Sequence, residues 1–229
     1  MSRRLNAMVL AAGRGERLRP LTDHCPKPLV EVGGQTLIEH TLDKLAAAGV
    51  EHCVINLNWL GEQIRTHLNA VWRWPMRVTF SEEQGERLET GGGIFKMLDP
   101  LGPGPFIVAN ADVYSDFDLQ RLAERARHWS ENDAAHLVLV DNPAHHPDGD
   151  FGLDRASRLV DQAPRLTFSG LSLLDPGLFE GCQPGRFALA PLLRAAMQSG
   201  RISGEHHTGL WTDVGTLERL EQLRQRLGP

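Results

Sequence analysis

The sequence predicts an α/β fold in which a mixed, mainly parallel sheet is flanked by helices. Short apolar segments without polar alternation recur between residues 8 and 140, and segments whose apolar residues have helical spacing separate them. Strands and helices that alternate in this way form βαβ units, whose parallel strands are buried on both faces. The fold is therefore expected to be Rossmann-like. The 229 residues contain no linker-like boundary, so we expect one domain.

Five buried strands are predicted in the first part of the chain, because each apolar segment is short and is bounded by turn residues. They cover residues 8–12, 50–56, 77–81, 106–110 and 134–140. Helices are predicted where a capping residue or a glycine cluster precedes apolar residues at helical spacing. They lie between Thr36 and Gly49, at 60–68, after the glycines 91–93, and at 118–129.

The last third of the chain is less regular, so we expect a mixed or antiparallel extension of the sheet there. Strands are predicted at residues 151–153, 158–161, 166–174 and 210–214, and a helix at 189–197. The polar segment 141–150 is predicted to be a long loop, and such loops are usually functional or disordered. Thr216 is positioned to cap a C-terminal helix with one apolar stripe, formed by Leu217, Leu220, Leu223 and Leu227.

Composition narrows the function classes. The formal net charge is −5, which argues against binding of nucleic acid, since a sequence-independent grip needs a basic face. No apolar segment reaches the length of a membrane span. The three cysteines, Cys25, Cys53 and Cys182, are far apart and have neither metal-site nor disulfide spacing. A monomer in the reducing cytoplasm is the simplest expectation.

A glycine-rich, arginine-rich loop follows the first predicted strand. Glycines such as Gly13 and Gly15 let backbone N–H groups approach an anion. Leu18 stands where a dinucleotide-binding loop has its third glycine, and no Gly-Lys-Ser/Thr sequence of a Walker loop is present. Positive charge comes from four side chains, those of Arg14, Arg17, Arg19 and Lys27. The loop is therefore predicted to bind phosphates although it is neither a dinucleotide-binding loop nor a Walker loop. The alternative interpretation is a basic loop that only contacts solvent.

Two aspartates follow strand ends and are candidate metal ligands. Asp112 lies just beyond the strand predicted at 106–110, where open α/β sheets bind ligands, and Asp213 lies between an apolar strand end and a helix cap. Mg²⁺ prefers one or two carboxylates together with phosphate oxygens and water. The alternative is that each aspartate only caps a helix or a turn. A second glycine cluster, residues 91–93, is predicted to allow close approach of a flat or anionic ligand.

These motifs together resemble a known family. The segment 10–20, LAAGRGERLRP, followed by PKPL at 26–29, strongly resembles the signature of the sugar-1-phosphate nucleotidyltransferases. Three further motifs follow in that family's order: LETGG at 88–92, NAD at 110–112 and WTDVGT at 211–216. Three stretches look closer still to the branch of N-acetylmuramate α-1-phosphate uridylyltransferases, which act in cell-wall recycling: LETGGGIF at 88–95, LTFSG at 166–170 and SGEHH at 203–207.

The resemblance implies a nucleotide-diphospho-sugar transferase fold and the reaction of UTP with a sugar-1-phosphate to give a UDP-sugar and pyrophosphate. It implies that Arg17 faces the pyrophosphate, that Lys27 neutralises charge at the α-phosphate, and that Asp112 and Asp213 bind Mg²⁺. The implied nucleotide-binding residues are Ala11, Ala12, Gly13, Gly15, Gln84, Thr90 and Gly91. The implied sugar-phosphate residues are Asn110, Gly152, Ser169, Gly170 and Glu205. The nucleotide half then spans about residues 1–115 and the sugar half about 116–229.

The sequence departs from the family pattern at two places. Many relatives have glycine where Glu89 stands, and no lysine occurs at residues 161–164, near which the family often has a Glu-Lys-Pro motif. N-acetylmuramate also carries a lactyl carboxylate, which calls for a cation or amides in the sugar site. The candidate cations are Arg165, Arg186, Arg201 and His206.

Other functions are compatible with some of these motifs. A mannose-1-phosphate guanylyltransferase shares every phosphate motif. A glycosyltransferase would also place an acidic motif after a strand, but residues 110–112 lack the first aspartate of Asp-x-Asp. A nucleotide sensor without catalysis could keep the loop, but the presence of both candidate metal aspartates argues against it.

Overall fold

The computed structural model describes residues 4–83 and 88–228, and its core is one mixed nine-stranded sheet with helices on both faces. The strands are β1 (Asn6–Leu10), β2 (Glu31–Val32), β3 (Gln35–Thr36), β4 (His52–Leu57), β5 (Arg77–Glu82), β6 (Phe106–Asn110), β7 (Val113–Ser115), β8 (Ala135–Val140), β9 (Phe151–Leu153), β10 (Leu159–Val160), β11 (Arg165–Leu174), β12 (Ile202–His207) and β13 (Trp211–Asp213). The helices are α1 (Leu37–Ala47), α2 (Gly61–Val71), α3 (Glu89–Phe95), α4 (Leu98–Leu101), α5 (Gln120–Arg127), α6 (Leu189–Gln198) and α7 (Leu217–Leu227).

The four strands β5, β4, β1 and β6 are neighbours in that order and are all parallel. On the other side of β6, β11 is antiparallel to both β6 and β8, and β12 extends the sheet beside β8. The predicted α/β class with a mixed, mainly parallel sheet is confirmed. The carboxyl ends of β1, β4 and β6 meet at one edge, which is where open α/β sheets bind ligands.

Apolar residues cover both faces of the sheet, which explains why the parallel strands lack polar alternation. On one face, α1 and α2 bury Leu42 and Ile64, and on the other, α3 and α6 bury Ile94 and Leu193. A third, smaller cluster joins α7 to the arginine-rich loop through Leu18, Val30, Val214, Leu220 and Leu223. The C-terminal helix therefore supports the loop that follows β1.

Most sequence-predicted elements are present within a few residues of their predicted bounds, but four strands, β2, β3, β7 and β12, and the short helix α4 were not predicted. β12 contains Gly204 and Glu205 in a polar segment; it pairs along its length with β8 and has a single bridge from Ser203 to Arg158, so it needs no apolar repeat. β7 has only three residues and pairs with β13. The prediction for Leu217 is wrong, because its side chain is 48% exposed although it was assigned to the apolar stripe of α7.

Helix α1 begins with the predicted cap at Thr36. Its side chain accepts a hydrogen bond from the backbone N–H of Glu39, while the Glu39 carboxylate accepts from the Thr36 backbone N–H at 3.0 Å, which completes a capping box. Arg73 also donates to Glu39 at 3.0 Å. Burial raises the pKa of Glu39, but the hydrogen bonds from Thr36 and Arg73 lower it more strongly, to about 2.

We expect Glu39→Gln to lower the free energy of unfolding by roughly 2–3 kcal/mol at pH 7, because the depressed pKa measures the stabilisation of the charged carboxylate. This stabilisation is complete above the ordinary pKa of 4.5 and is lost as the pH falls towards about 2. Urea unfolding of both proteins between pH 3 and pH 7 should show the difference shrinking with acid. Glu62→Gln, on an exposed side chain of α2, is the control and should show no such trend. A difference independent of pH would contradict the assignment.

No helix among the described residues is long and apolar enough to span a membrane.

Candidate active site

A cavity of about 470 Å³ opens at the carboxyl ends of β1, β4 and β6. Eight of the sequence-predicted site residues line it: Ala11, Ala12, Gly13, Gly15, Lys27, Thr90, Asn110 and Asp112. The lining also includes residues that the sequence analysis did not predict as ligand-binding, among them Asn56, Glu83 and Glu89. Gln84, the predicted base-reading residue, lies outside the described residues.

A buried hydrogen-bonded chain holds the start of the glycine-rich loop. The Ala11 N–H donates to Asn56 Oδ1 at 2.8 Å, and Asn56 Nδ2 donates to Glu83 Oε1 at 2.7 Å. The second carboxylate oxygen of Glu83 accepts from the Leu88 N–H at 3.2 Å. Asn56 lies near the end of β4 and Glu83 directly follows β5, so a polar residue at a buried strand end was the signal that could have found both.

The rest of the loop is fixed by a turn and an aromatic ring. Gly15 has a φ of +66°, a left-handed conformation that favours glycine, and its carbonyl accepts from Thr22 Oγ1 at 2.8 Å. The Arg14 guanidinium lies 4.4 Å from the centroid of the Trp59 ring, a cation–π contact. Trp59 Nε1 donates to the Thr22 carbonyl at 2.9 Å. These contacts direct the loop backbone across the mouth of the cavity.

Lys27 is a buried cation at the wall of the cavity. It lies between two prolines in a single 3₁₀ turn, and its Nζ donates to Asp112 Oδ2 at 2.6 Å. Burial of an ammonium group is costly unless a negative group compensates it, and Asp112 supplies that charge here. The predicted phosphate-binding lysine and the predicted metal ligand are therefore direct partners.

The structure brings Asp112 and Asp213 together although 100 residues separate them in sequence. β13 pairs with β7, and the Val214 N–H donates to the Asp112 carbonyl at 3.0 Å. Arg219 Nη1 donates to both carboxylate oxygens of Asp213, at 2.7 and 2.9 Å. His145 Nε2 lies 3.3 Å from Asp213 Oδ1. Each predicted metal ligand thus already pairs with a cation.

The two carboxylates fit a magnesium ion that takes its other ligands from substrate. Over residues 4–83 and 88–228 no group of three or more His, Cys, Asp and Glu residues could hold a metal alone. Mg²⁺ commonly binds through one or two carboxylates plus phosphate oxygens and water, so a pair of aspartates suffices. Lys27 at Asp112 and Arg219 at Asp213 confirm that this location accommodates positive charge.

The glycine cluster of α3 contacts the protein's own chain. A Cβ on Gly91 would lie 2.5 Å from the Phe187 ring, and one on Gly92 would lie 2.1 Å from the Gly185 carbonyl oxygen. The Gly92 N–H donates to the Phe187 carbonyl at 3.0 Å. The expected close approach exists, but at Gly91 and Gly92 the approaching atoms are not those of a ligand. Thr90 faces the cavity, whereas Gly91 is not among the residues that line it.

Three of the predicted sugar-phosphate residues lie together. Gly170 has a φ of +83°, and a Cβ there would lie 2.7 Å from Asn110 Nδ2, so the Asn110 amide rests on the Gly170 backbone. Ser169 is buried beside it, and its carbonyl accepts from Trp211 Nε1 at 2.9 Å. Ser169 and Gly170 lie in a bulge of β11, next to Asn110 at the carboxyl end of β6.

Gly152 and Glu205 are not among the cavity-lining residues. A Cβ on Gly152 would lie 2.2 Å from the Gln162 carbonyl oxygen, so glycine is needed there for chain packing. Glu205 forms an ion pair with Arg121 and a hydrogen bond with His136, whose Nε2 is 3.1 Å away. Burial raises the pKa of Glu205, but the hydrogen bond with His136 and the nearby charges, those of Arg121 and Arg125 included, together lower it more, which is typical of a structural contact within the fold.

Of the four candidate cations for a substrate carboxylate, Arg186 alone lines the described cavity. It donates to Glu89 at 2.8 Å, and Glu89 has a φ of +58°, in the left-handed region where glycine is the favoured residue. The others pair elsewhere, Arg165 with Asp161, Arg201 with the Asn132 carbonyl and His206 with Asp141.

Comparison with known proteins decides the family. Residues 6–161 match the family model described as nucleotidyl transferase. The chain belongs to the nucleotidyl transferase family. This nucleotidyltransferase is 46% identical to N-acetylmuramate alpha-1-phosphate uridylyltransferase of Neisseria meningitidis serogroup B, over 98% of this chain and 99% of that one. It is 38% identical to the protein of the same name from Caulobacter vibrioides, over 91% of each chain.

More distant proteins share the same architecture. Mannose-1-phosphate guanyltransferase of Emericella nidulans is 30% identical over 92% of this nucleotidyltransferase and 61% of its own length. The crystal structure of HddC from Yersinia pseudotuberculosis has a TM-score of 0.80 and 22% identity, covering 98% of this chain and 100% of that one. The predicted nucleotide-diphospho-sugar transferase fold is confirmed.

Proposed function

We propose that this nucleotidyltransferase joins UTP and N-acetylmuramate α-1-phosphate to form UDP-N-acetylmuramate and pyrophosphate. The observation that carries the proposal is the 46% identity with the Neisseria enzyme of that name over nearly the full length of both chains. The cavity supports it, because the predicted phosphate-binding backbone, Lys27 and Asp112 line it, and the segment of Asp213 is joined to Asp112 by the hydrogen bond from the Val214 N–H.

The reaction needs no general base. The second pKa of a phosphate monoester is near ~6, so the attacking sugar phosphate is largely dianionic at neutral pH. The obstacle is repulsion between two polyanions, and catalysis then consists of positioning and electrostatic stabilisation of in-line attack at the α-phosphorus. Lys27 and Arg17 supply fixed positive charge, Lys27 at the reacting phosphate and Arg17 towards the leaving pyrophosphate.

Asp112 and Asp213 would hold Mg²⁺, which when bound supplies further charge neutralisation at the phosphate oxygens. Lys27 is already at hydrogen-bond distance from Asp112, so it needs only a side-chain movement to exchange this carboxylate for a phosphate. The backbone N–H groups of the loop that begins at Ala11 orient the triphosphate, and the chain from Asn56 to Glu83 keeps that loop in place.

The sugar side of the cavity is proposed to lie at Asn110, Ser169 and Gly170. The lactyl carboxylate of N-acetylmuramate calls for a cation, and we assign this contact to Arg186 because it lines the cavity. The assignment requires Arg186 to leave Glu89 when the substrate carboxylate arrives. Discrimination against N-acetylglucosamine phosphate, which lacks this carboxylate, should weaken in Arg186→Gln.

The remaining proposals concern the setting of the reaction. Cys25, Cys53 and Cys182 are free thiols, and burial raises the pKa of Cys53 to about 12, so that thiol is unreactive. Free thiols are typical of the cytoplasm, so we place the enzyme there, in peptidoglycan recycling. We propose that it acts as a monomer and has neither a nucleic-acid nor a membrane partner.

Pyrophosphate release across a matrix of substrates tests the function. The nucleotides are UTP, GTP and dTTP, and the sugar-1-phosphates are those of N-acetylmuramate, N-acetylglucosamine and mannose. We expect the highest kcat/KM for UTP with N-acetylmuramate α-1-phosphate. The second candidate function is that of a mannose-1-phosphate guanylyltransferase, which the 30% identity with the Emericella protein supports. A preference for GTP with mannose-1-phosphate would favour it. Binding of nucleotide without pyrophosphate release from any pair would favour a sensor.

A further inference from the structure

Arg219 is a cation at the candidate metal site that the motif analysis did not single out. It lies in the first turn of α7, where its backbone N–H donates to Thr216 Oγ1 at 3.3 Å. Its side chain is only 14% exposed and is directed at Asp213. Because Leu220 and Leu223 anchor α7 against the arginine-rich loop, the position of Arg219 is set by the same packing that supports this loop.

A second guanidinium lies beside it. A Cβ on Gly215 would lie 2.1 Å from Nη2 of Arg219 and 3.1 Å from Nη2 of Arg17, so both groups approach the same point. Asp213 neutralises Arg219, but no hydrogen bond or ion pair of the Arg17 side chain is found within residues 4–83 and 88–228. Two adjacent guanidinium groups repel each other unless an anion lies between or beside them.

The arrangement matches the chemistry of a polyphosphate. Guanidinium groups bind phosphate through paired, charge-assisted hydrogen bonds, and two of them span adjacent phosphates better than one. His145, from the loop between β8 and β9, contacts both Asp213 and the Arg219 guanidinium, so this cluster also receives a residue from the segment predicted to be a functional loop.

We propose that Arg219 is a second pyrophosphate-binding residue beside Arg17, and that Asp213 holds its guanidinium in place while the metal is absent. The proposal rests on the proposed nucleotidyl transfer. Arg219 donates to both carboxylate oxygens of Asp213, so a divalent ion that binds this carboxylate competes with the guanidinium and weakens its hold on Arg219. Arg219 released in this way lies next to Arg17, where the β- and γ-phosphates are expected.

The proposal predicts opposite effects on two ligands. Without Arg219, Asp213 loses the cation that competes with a metal ion, so metal binding should become tighter. Pyrophosphate loses one of its two guanidinium partners, so its binding should become weaker. A residue that only supports the fold would weaken both or change neither.

The experiment compares the full-length protein with Arg219→Gln, Arg219→Lys and the control Arg224→Gln. Arg224 lies on the same helix, but its Nε donates to the Glu31 carbonyl at 3.1 Å. Mn²⁺ binding without nucleotide is measured from the electron paramagnetic resonance signal of the free ion, and binding of inorganic pyrophosphate by calorimetry. Thermal unfolding checks that each variant is folded. If Arg219→Gln does not fold, Arg219→Lys, which keeps a cation at this position, is the variant that is measured.

We expect Arg219→Gln to bind Mn²⁺ about fivefold or more tightly and pyrophosphate roughly tenfold more weakly, which is the size of one charge-assisted hydrogen bond. Arg219→Lys should bind pyrophosphate with intermediate affinity, and Arg224→Gln should match the unmodified protein. Unchanged pyrophosphate affinity in Arg219→Gln, or weaker binding of both ligands, would overturn the proposal. Neither measurement uses a sugar or turnover, so failure here is separate from failure of the substrate matrix.

Discussion

Replacing Asp213 with Asn should reduce kcat by about 10²–10³-fold with Mg²⁺ present, the usual cost of losing one preorganised electrostatic contact in a transition state. Asn keeps the size of the side chain but removes the charge that we propose binds the metal. Asp112→Asn should have a similar effect, because Asp112 is the other proposed metal ligand and the backbone hydrogen bond from the Val214 N–H to its carbonyl brings the two chain segments together. The measurement is pyrophosphate release as a function of Mg²⁺ concentration at saturating substrates.

Asp118→Asn is the matched control for these two variants. Asp118 lies in the segment leading into α5 and accepts from the Gln120 N–H at 2.9 Å, a role that asparagine can also fill. Its activity should equal that of the unmodified enzyme. Near-full activity of Asp213→Asn at ordinary Mg²⁺ concentrations would show that the metal assignment is wrong.

The second large effect is expected at Lys27. Lys27→Met removes the buried cation that we propose acts at the reacting phosphate, and it should lower kcat by about 10²–10³-fold. Lys27→Arg should not restore activity, because a planar guanidinium does not replace a compact ammonium in a buried turn between two prolines. Single-turnover kinetics with UTP separate a slower chemical step from weaker binding.

Lys44→Met provides the comparison for Lys27. Lys44 lies on α1, its ammonium group is 5.3 Å from the centroid of the Tyr114 ring, and it is not among the described residues that line the cavity. This variant should retain its turnover. If Lys27→Met lost only nucleotide affinity while its single-turnover rate stayed unchanged, Lys27 would be a binding residue and not a catalytic one.

The sequence was sufficient to predict the fold class, because hydrophobic periodicity and turn chemistry are local properties. β6 has the predicted bounds, and Thr36 caps α1 as expected. β12 could not be found in this way, since an edge strand with one partner carries polar residues such as Glu205 and His206 without penalty.

Site residues could be predicted where a sequence motif identifies them, and not where their role depends on contacts that the fold creates. Lys27 and Asp112 are each recognisable in sequence, but their 2.6 Å contact depends on how β6 and the loop after β1 are placed. Asn56 and Glu83 are marked in sequence only as polar residues at strand ends, and their contacts, like that of Arg219 with Asp213, follow from strand order and helix packing. The glycines of α3 predict a close approach, but the sequence does not reveal that the Phe187 ring and the Gly185 carbonyl are among the atoms that approach.

The hydrogen-bonded chain from Ala11 through Asn56 and Glu83 to Leu88 has a thermodynamic consequence. It connects the cavity wall proposed to face the phosphates with the wall that carries Thr90. A ligand that orders one wall lowers the free-energy cost of ordering the other, so we expect the triphosphate and the nucleoside to bind as coupled parts of one ligand. The binding free energy of a whole nucleotide should then be more favourable than the sum of those of a free triphosphate and a free nucleoside. The site would thus favour whole nucleotides over free phosphates or bases.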